Sequence, residues 1–513
     1  MAYTFSRRHF FFGSLLAGAL PQGGFGSTAS LRKLGYKSPN EKLNIASIGA
    51  GGKAASDIDG CMSENIVALC DVDEKQAASK FKEYAKAPKY KDFRKMLDQE
   101  KGIDAVIVTI PDFMHATAAV WAMERGKHVY VQKPLVRTVW EVRLMLETAN
   151  KYGVATQMGN QGYSNEGTRQ CAEMIWSGEI GDVTEVHAWT NRPLWPQGLT
   201  EIPPPDPVPG TLDWDLWLGI ANTRPFTLGG KGYPSEFGGY FYQPFNWRGF
   251  YDFGCGALGD MACHILGASN LALRLGIPAS VECVHKEGTS DFMFPKRSVI
   301  RYDFPARGDM PPVKIFWHDG CTETPEIPGV PKGELLGDLP HHPYRRPQGQ
   351  AQHAAAPARP PFEPTGFVGP VFNWERFQAL INDPDAVPET PNGSVFLGTK
   401  GIITTGTYGE NTRLIPVEKM RVYKFPPELL TRSPGHYRDW IRACKGGDPA
   451  CSNFSVAAPF VEWMLLGVIA LRVEGKLEYD AARMRFTNNP QANQYLRPAF
   501  RKGWELRHKG LSV

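Results

Sequence analysis

Between residues 43 and 158, five short apolar runs alternate with longer segments of helical pattern. This alternation constrains the fold more than any other feature of the chain. The runs cover 43–48, 66–70, 105–110, 128–131 and 154–158, with helical segments such as 116–125 and 140–152 between them. Strands joined through helices pair in parallel, because the helix carries the chain back before the next strand begins. Right-handed crossovers then bring the C-terminal ends of the strands to one edge of the sheet. The expected architecture is α/β: an N-terminal Rossmann-type, doubly wound parallel sheet over residues 41–160.

The first run ends in Gly49-Ala50-Gly51-Gly52-Lys53-Ala54, a match to G-x-G-x-x-A between a strand and a helix. Glycines there permit a tight turn and close approach of a pyrophosphate to the N–H groups of the helix start. Asp71 stands twenty residues beyond Gly51 at the end of the second run, where a carboxylate accepts both ribose hydroxyls and repels a 2′-phosphate. The expected cofactor is therefore NAD(H) rather than NADP(H). The ligand edge also receives Thr109-Ile110-Pro111-Asp112-Phe113-Met114-His115 after the third run and Gln132-Lys133-Pro134 after the fourth. Gly49, Gly51, Gly52, Lys53, Asp71, Thr109, Pro111, Asp112, His115, Gln132 and Lys133 form the expected cofactor-binding set.

Beyond residue 160 the alternation stops. Strand-like runs near 181–190, 280–284, 298–304, 313–317, 395–398 and 401–405, with helices near 436–444 and 457–472, predict an α+β domain over 161–485. Its large sheet should be mostly antiparallel. A Trp-, Pro- and Gly-rich insertion near 191–256 and a Pro-rich one near 322–394 interrupt it, and a tail follows over 486–513. The aromatic insertion, with Trp195, Tyr240, Tyr242 and Trp247, is suited either to cover a ligand as a lid or wall or to pack against another subunit.

A net charge of +4 over 513 residues leaves no basic stripe for a nucleic acid. Ser6-Arg7-Arg8-His9-Phe10-Phe11, followed by a short apolar stretch, reads as a twin-arginine export signal within residues 1–30. The mature protein is then periplasmic or secreted, without a membrane anchor. The nine cysteines contain no C-x-x-C pair. Cys255, Cys263 and His264 fall short of a four-ligand zinc set, so no metal is expected. In an oxidising compartment Cys444 and Cys451 form a pair able to oxidise.

Far downstream, Gly256-Ala257-Leu258-Gly259-Asp260-Met261-Ala262-Cys263-His264 places Asp260 and His264 at i, i+4, on one face of a helix. Oxidising a secondary alcohol needs a hydride acceptor, a base for the hydroxyl proton and a positive group at the reacting oxygen. His264 suits the base, Asp260 suits orienting that ring, and Lys133 suits the positive group.

The order G-x-G-x-x-A, T-x-P-D…H, K-P and D-x-x-x-H resembles the glucose–fructose oxidoreductase / inositol dehydrogenase / MocA family. The stretches 191–198, 246–250 and 477–480 resemble a large exported bacterial subgroup of it. The resemblance implies the same catalytic roles for Lys133, Asp260 and His264, a sugar or polyol substrate, and a homo-oligomer. Gln161, Tyr163, Arg192, Trp195, Trp247 and Arg248 are the expected substrate contacts. Two positions depart from the family pattern: Gln132 replaces the Glu of E-K-P, and Gly267 stands where many members carry an acidic residue. Two other outcomes stay open, an NAD-dependent glycosidase acting by oxidation, elimination, hydration and reduction, and a non-catalytic sugar-binding protein.

Overall fold

A computed structural model describes residues 40–229, 240–340, 372–386 and 391–506. The twin-arginine segment lies outside these residues, as do parts of both insertions and the end of the tail.

Six strands form the first sheet: β1 (Asn44–Ile48), β2 (Asn65–Cys70), β3 (Lys89–Tyr90), β4 (Ala105–Val108), β5 (His128–Val131) and β6 (Thr156–Met158). Their order is β3-β2-β1-β4-β5-β6, and every pairing is parallel. β4 and β5 are buried at every residue, as strands covered by helices on both faces must be. The chain runs outward from β1 to β3, then returns to β4 on the other side of β1. The loops after β1 and β4 therefore diverge, and a crevice opens between them at the C-terminal edge.

Nine strands form the second sheet: β7 (Val183–Trp189), β8 (Ser280–Glu287), β9 (Arg297–Phe304), β10 (Val313–Asp319), β11 (Gly393–Gly398), β12 (Ile402–Thr405), β13 (Arg413–Ile415), β14 (Leu477–Asp480) and β15 (Arg485–Phe486). Their order is β13-β12-β11-β7-β10-β9-β8-β14-β15, antiparallel except for the β7–β10 pair. β9 and β10 alternate buried and half-exposed residues, as a sheet with one covered face requires.

The helix Phe454–Ala470 joins the two sheets. It is apolar nearly all round and packs on the helix Val139–Tyr152 of the first sheet and on β8 and β9 of the second. Against it lies the helix Gly256–Ile265, buried at every residue, which carries Asp260 and His264 to the mouth of the crevice.

The helix–strand alternation persists one step further than the sequence indicates, because a helix Glu166–Trp176 follows β6. The short strands β3, β13 and β15 also escape sequence reading, since two or three residues carry no periodicity. Much of the aromatic insertion is core. Trp195 and Tyr242 are buried, Trp214 and Trp217 stack at 4.7 Å, and Phe241, Phe250 and Phe253 pack around Tyr242. The insertion also grips the first sheet, with Asp213 N donating to Val72 O at 2.9 Å and Glu74 N to Thr211 O at 3.1 Å. All nine cysteines are free thiols, including Cys444, buried against the first sheet, and Cys451, whose sulfur lies 3.0 Å from Ser164 Oγ. No helix among the described residues is long and apolar enough to cross a membrane.

Candidate active site

A cleft of about 1000 Å³ runs along the crevice, from the glycine turn after β1 to the helix Gly256–Ile265. Its far wall comes from Trp217, the segment 243–248 and Tyr408.

At the first end the glycines answer to geometry. Gly49 has φ +95°, and a Cβ there would sit 2.1 Å from the Thr109 carbonyl oxygen. A Cβ on Gly51 would sit 2.4 Å from the Gln76 carbonyl oxygen, whereas Gly52, at φ +52°, faces open space. Gly52 gives the helix Lys53–Gly60 no side-chain cap, so no side chain of the turn covers the helix start, although Ala54 N and Ala55 N turn to the Gly51 and Gly52 carbonyls. Asp71, at the end of β2, accepts from Ala50 N at 2.8 Å and Asp73 N at 3.0 Å. Burial raises its pKa to about 6 against these bonds. A turn only glycine fits, an uncapped helix start and a carboxylate one strand away are together suited to a dinucleotide.

The middle of the cleft rests on Asp57, a fully buried carboxylate. It accepts hydrogen bonds from Lys53 Nζ, from Tyr437 OH at 2.7 Å, from Thr109 Oγ1 at 2.8 Å and from Gln132 Nε2 at 2.9 and 3.1 Å. Gln161, with its amide oxygen turned to Lys53, extends this network at 3.2 Å. Gln132 is thus an amide facing a carboxylate. A Glu at that position would set two carboxylates against each other.

At the second end, Lys133 Nζ donates to Asp260 Oδ1 and to the Asp260 carbonyl, both at 2.7 Å. Arg248 Nε donates to the same Oδ1 at 3.1 Å, and Arg192 Nε lies 4.0 Å from Oδ2. Burial would raise the Asp260 carboxyl, but Lys133 and Arg248 outweigh it and hold the group well below the usual carboxylate range. Asp112 is pushed up to about 7 by burial, against the pull of Arg248 and Lys133.

His264 lines the cleft beside Tyr408, with ring centroids 4.8 Å apart, and among the described residues its Nδ1 meets no hydrogen-bond partner. Burial, then the Lys133 charge, push its pKa well below 6.5, so the imidazole is neutral. The expectation that Asp260 orients the His264 ring is therefore corrected. Although both share a helix face, the Asp260 carboxylate turns to the stronger permanent charges of Lys133 and Arg248.

The cleft brings together Gly49, Gly51, Gly52, Lys53, Asp71, Thr109, Pro111, Asp112, Gln132, Lys133, Gln161, Arg192, Trp247, Arg248, Asp260 and His264. Three expected contacts lie behind its walls. The His115 ring is buried with Nδ1 2.9 Å from Pro134 O and Nε2 2.7 Å from Ile110 O, pinning the two loops together. Tyr163 is buried, its hydroxyl accepting from Asn270 at 2.6 Å, and Trp195 packs edge-on behind Phe245 at 5.5 Å. Sequence reasoning missed Asp57, Tyr408 and Tyr437. Only Asp57 left a signal, its i, i+4 spacing from Lys53 in the first helix.

Residues 43–160 match the GFO_IDH_MocA model, described as an oxidoreductase family with an NAD-binding Rossmann fold. The chain is 32% identical over 124 residues, 24% of its length and 37% of the relative's, to an inositol 2-dehydrogenase of Salmonella typhimurium. It is 28% identical over 186 residues, 33% of its length and 41% of the relative's, to a glycosyl hydrolase family 109 protein of Solibacter usitatus. The chain thus spans less than half the length of either relative. The WlbA dehydrogenase of Chromobacterium violaceum, solved with NADH and UDP-GlcNAcA, shares the fold: TM-score 0.54 at 14% identity, over 86% of this chain and 97% of that one.

Proposed function

From the match of residues 43–160 to the Gfo/Idh/MocA oxidoreductase family, we propose that this chain is a member of it and an NAD(H)-dependent enzyme oxidising a CH–OH group of a sugar or polyol. The observation that carries the reading is Lys133 and His264 in one cleft with the glycine turn. NAD, when bound, supplies the acceptor for the carbinol hydride. Lys133, fixed by Asp260, donates a hydrogen bond to the reacting oxygen and stabilises negative charge developing there. The hydroxyl proton goes to the imidazole of His264, which burial and the Lys133 charge keep neutral before the transfer. Gln132 and Asp57 hold the backbone of the Lys133 loop, Gln132 Oε1 accepting from Lys133 N at 3.2 Å.

The family 109 relative favours a second outcome of the same chemistry. A transient keto sugar acidifies the neighbouring C–H, the aglycone is eliminated, water adds, and the hydride returns to carbon. The Arg7-Arg8 pattern supports export of a folded, cofactor-loaded protein, for which a cycle that restores its own cofactor is the workable one. The test is to strip free nucleotide from purified protein, then supply polyols and glycosides while following NADH absorbance and released aglycone. Multiple turnovers without added NAD support recycling, and product strictly stoichiometric with enzyme opposes it. No reduction of bound NAD by any polyol or glycoside refutes the oxidoreductase reading.

A further inference from the structure

The sugar end of the cleft carries an excess of fixed positive charge. Lys133, Arg192 and Arg248 surround Asp260, with side chains 14%, 24% and 17% exposed. Among the described residues lining this end of the cleft, the carboxylates are Asp260, which Lys133 and Arg248 hold well below the usual carboxylate range, and Asp112, which burial pushes up to about 7. Lys133 and Arg248 both bond to Asp260 Oδ1, while Arg192, at 4.0 Å from Oδ2, is beyond hydrogen-bond reach of it. The Arg192 guanidinium bonds instead to Asn191 Oδ1 at 2.5 Å, a neutral acceptor. Half-buried cations in excess of their partners are costly unless a ligand completes the set.

Arg248 is held ready for such a ligand. Its guanidinium lies 4.0 Å from the Phe245 ring centroid and 4.2 Å from that of Trp247, and Nη1 donates to Phe245 O at 3.2 Å. Stacking fixes the plane of the guanidinium, and a planar fork of donors matches a carboxylate or related oxyanion better than a hydroxyl. The cofactor's phosphates belong to the other end, where the glycine turn and Asp71 lie. Arg248 is bonded to Asp260 on the helix Gly256–Ile265, and Arg192 lies 4.0 Å from the same carboxylate, both beside Lys133.

Building on the reading of this cleft as a sugar-oxidising site, we propose that its substrate is an anionic sugar, whose acidic group is held by Arg192 and Arg248 while the reacting hydroxyl meets Lys133. A carboxylate and an ester oxyanion share the required chemistry. The experiment measures binding rather than turnover, on the full chain with NADH bound. Matched pairs are titrated by fluorescence: D-glucuronate against D-glucose, D-galacturonate against D-galactose, and glucose 6-phosphate and glucose 6-sulfate against glucose. An anionic member should bind at least about tenfold more tightly than its neutral partner, the scale of one hydrogen bond between charged groups. Which pair responds tells carboxylate from phosphate or sulfate. Arg192→Met and Arg248→Met should each reduce that preference, with NADH affinity and melting temperature preserved. Equal or tighter binding of the neutral partners, no binding of any anionic member, or a preference untouched by both substitutions would overturn the proposal. Failure of the wild type to bind NADH would instead remove the cofactor reading, and this proposal with it.

Discussion

Asp57 offers the sharpest test of how the cleft is held together. Its carboxylate is fully buried and accepts from Lys53, Tyr437, Thr109 and Gln132. In Asp57→Ala, Lys53, whose side chain is 41% exposed, can turn to solvent. Gln132, at 4% exposure, cannot follow it, and Tyr437 is half-buried with its ring 5.5 Å from that of Tyr130. Each buried donor left without an acceptor costs about 1–3 kcal/mol, so the two together with the lost contacts should cost about 3–5 kcal/mol. Asp57→Asn keeps the shape and one carbonyl oxygen, and the Thr109 hydroxyl can rotate to accept from the new amide. Its cost should be about 1–2 kcal/mol. Urea unfolding of the full chain, followed by tryptophan fluorescence, reads both values, with NADH titration in parallel. The reasoning fails if Asp57→Ala lies within about 1 kcal/mol of wild type, or if Asn costs as much as Ala.

Gln132→Glu would place a second carboxyl about 3 Å from Asp57, raising its folded pKa above its unfolded one. The variant should approach wild-type stability at acid pH and lose stability as pH rises through that pKa, and parallel pH–stability curves would contradict this. Asp71, raised to about 6, must be ionised to accept two ribose hydroxyls. NADH affinity should therefore climb from pH 5 to 7 and level off above, against a flat profile if another group holds the ribose. Lys133→Met and His264→Ala should each lose at least about 100-fold in turnover on the true substrate, while NADH binding survives. Near-normal turnover in either removes that residue from the chemistry. Gly49→Ala combines a positive φ with a Cβ 2.1 Å from the Thr109 oxygen. It should cost about 2–4 kcal/mol and abolish NADH binding, and an unshifted melting curve would refute the packing argument.

The first sheet was legible because its signals are local. β4 is a continuous apolar run, β2 and β5 are apolar after their first residue and β1 is broken only by Ser47 after its first, and each of the helices Lys53–Gly60 and Val139–Tyr152 begins at a glycine turn or a Thr138 cap. Gly49, Gly51, Asp71 and Lys133 could be placed on one edge from strand order alone, since a parallel sheet puts every strand end on the same side. The second sheet was legible as a class but not in its pairings. The partners β7 and β11, for instance, are separated by two insertions, and nothing local states that Phe396 faces Val186.

Sequence alone therefore determined a Rossmann sheet, the strand-end loops that face a nucleotide, and a later helix bearing Asp260 and His264 on one face. Which partner each polar group takes was decided only by the tertiary structure. The i, i+4 spacing brings Asp260 near His264, yet Lys133 and Arg248, 127 residues upstream and 12 residues upstream, claim its carboxylate. Asp57 is bound to Tyr437 across 380 residues. His115 faces two backbone carbonyls instead of the cleft. Periodicity and spacing fix where a side chain leaves the backbone. Its hydrogen bonds and charge state depend on groups that folding brings in from distant parts of the chain, and on how much water folding takes away.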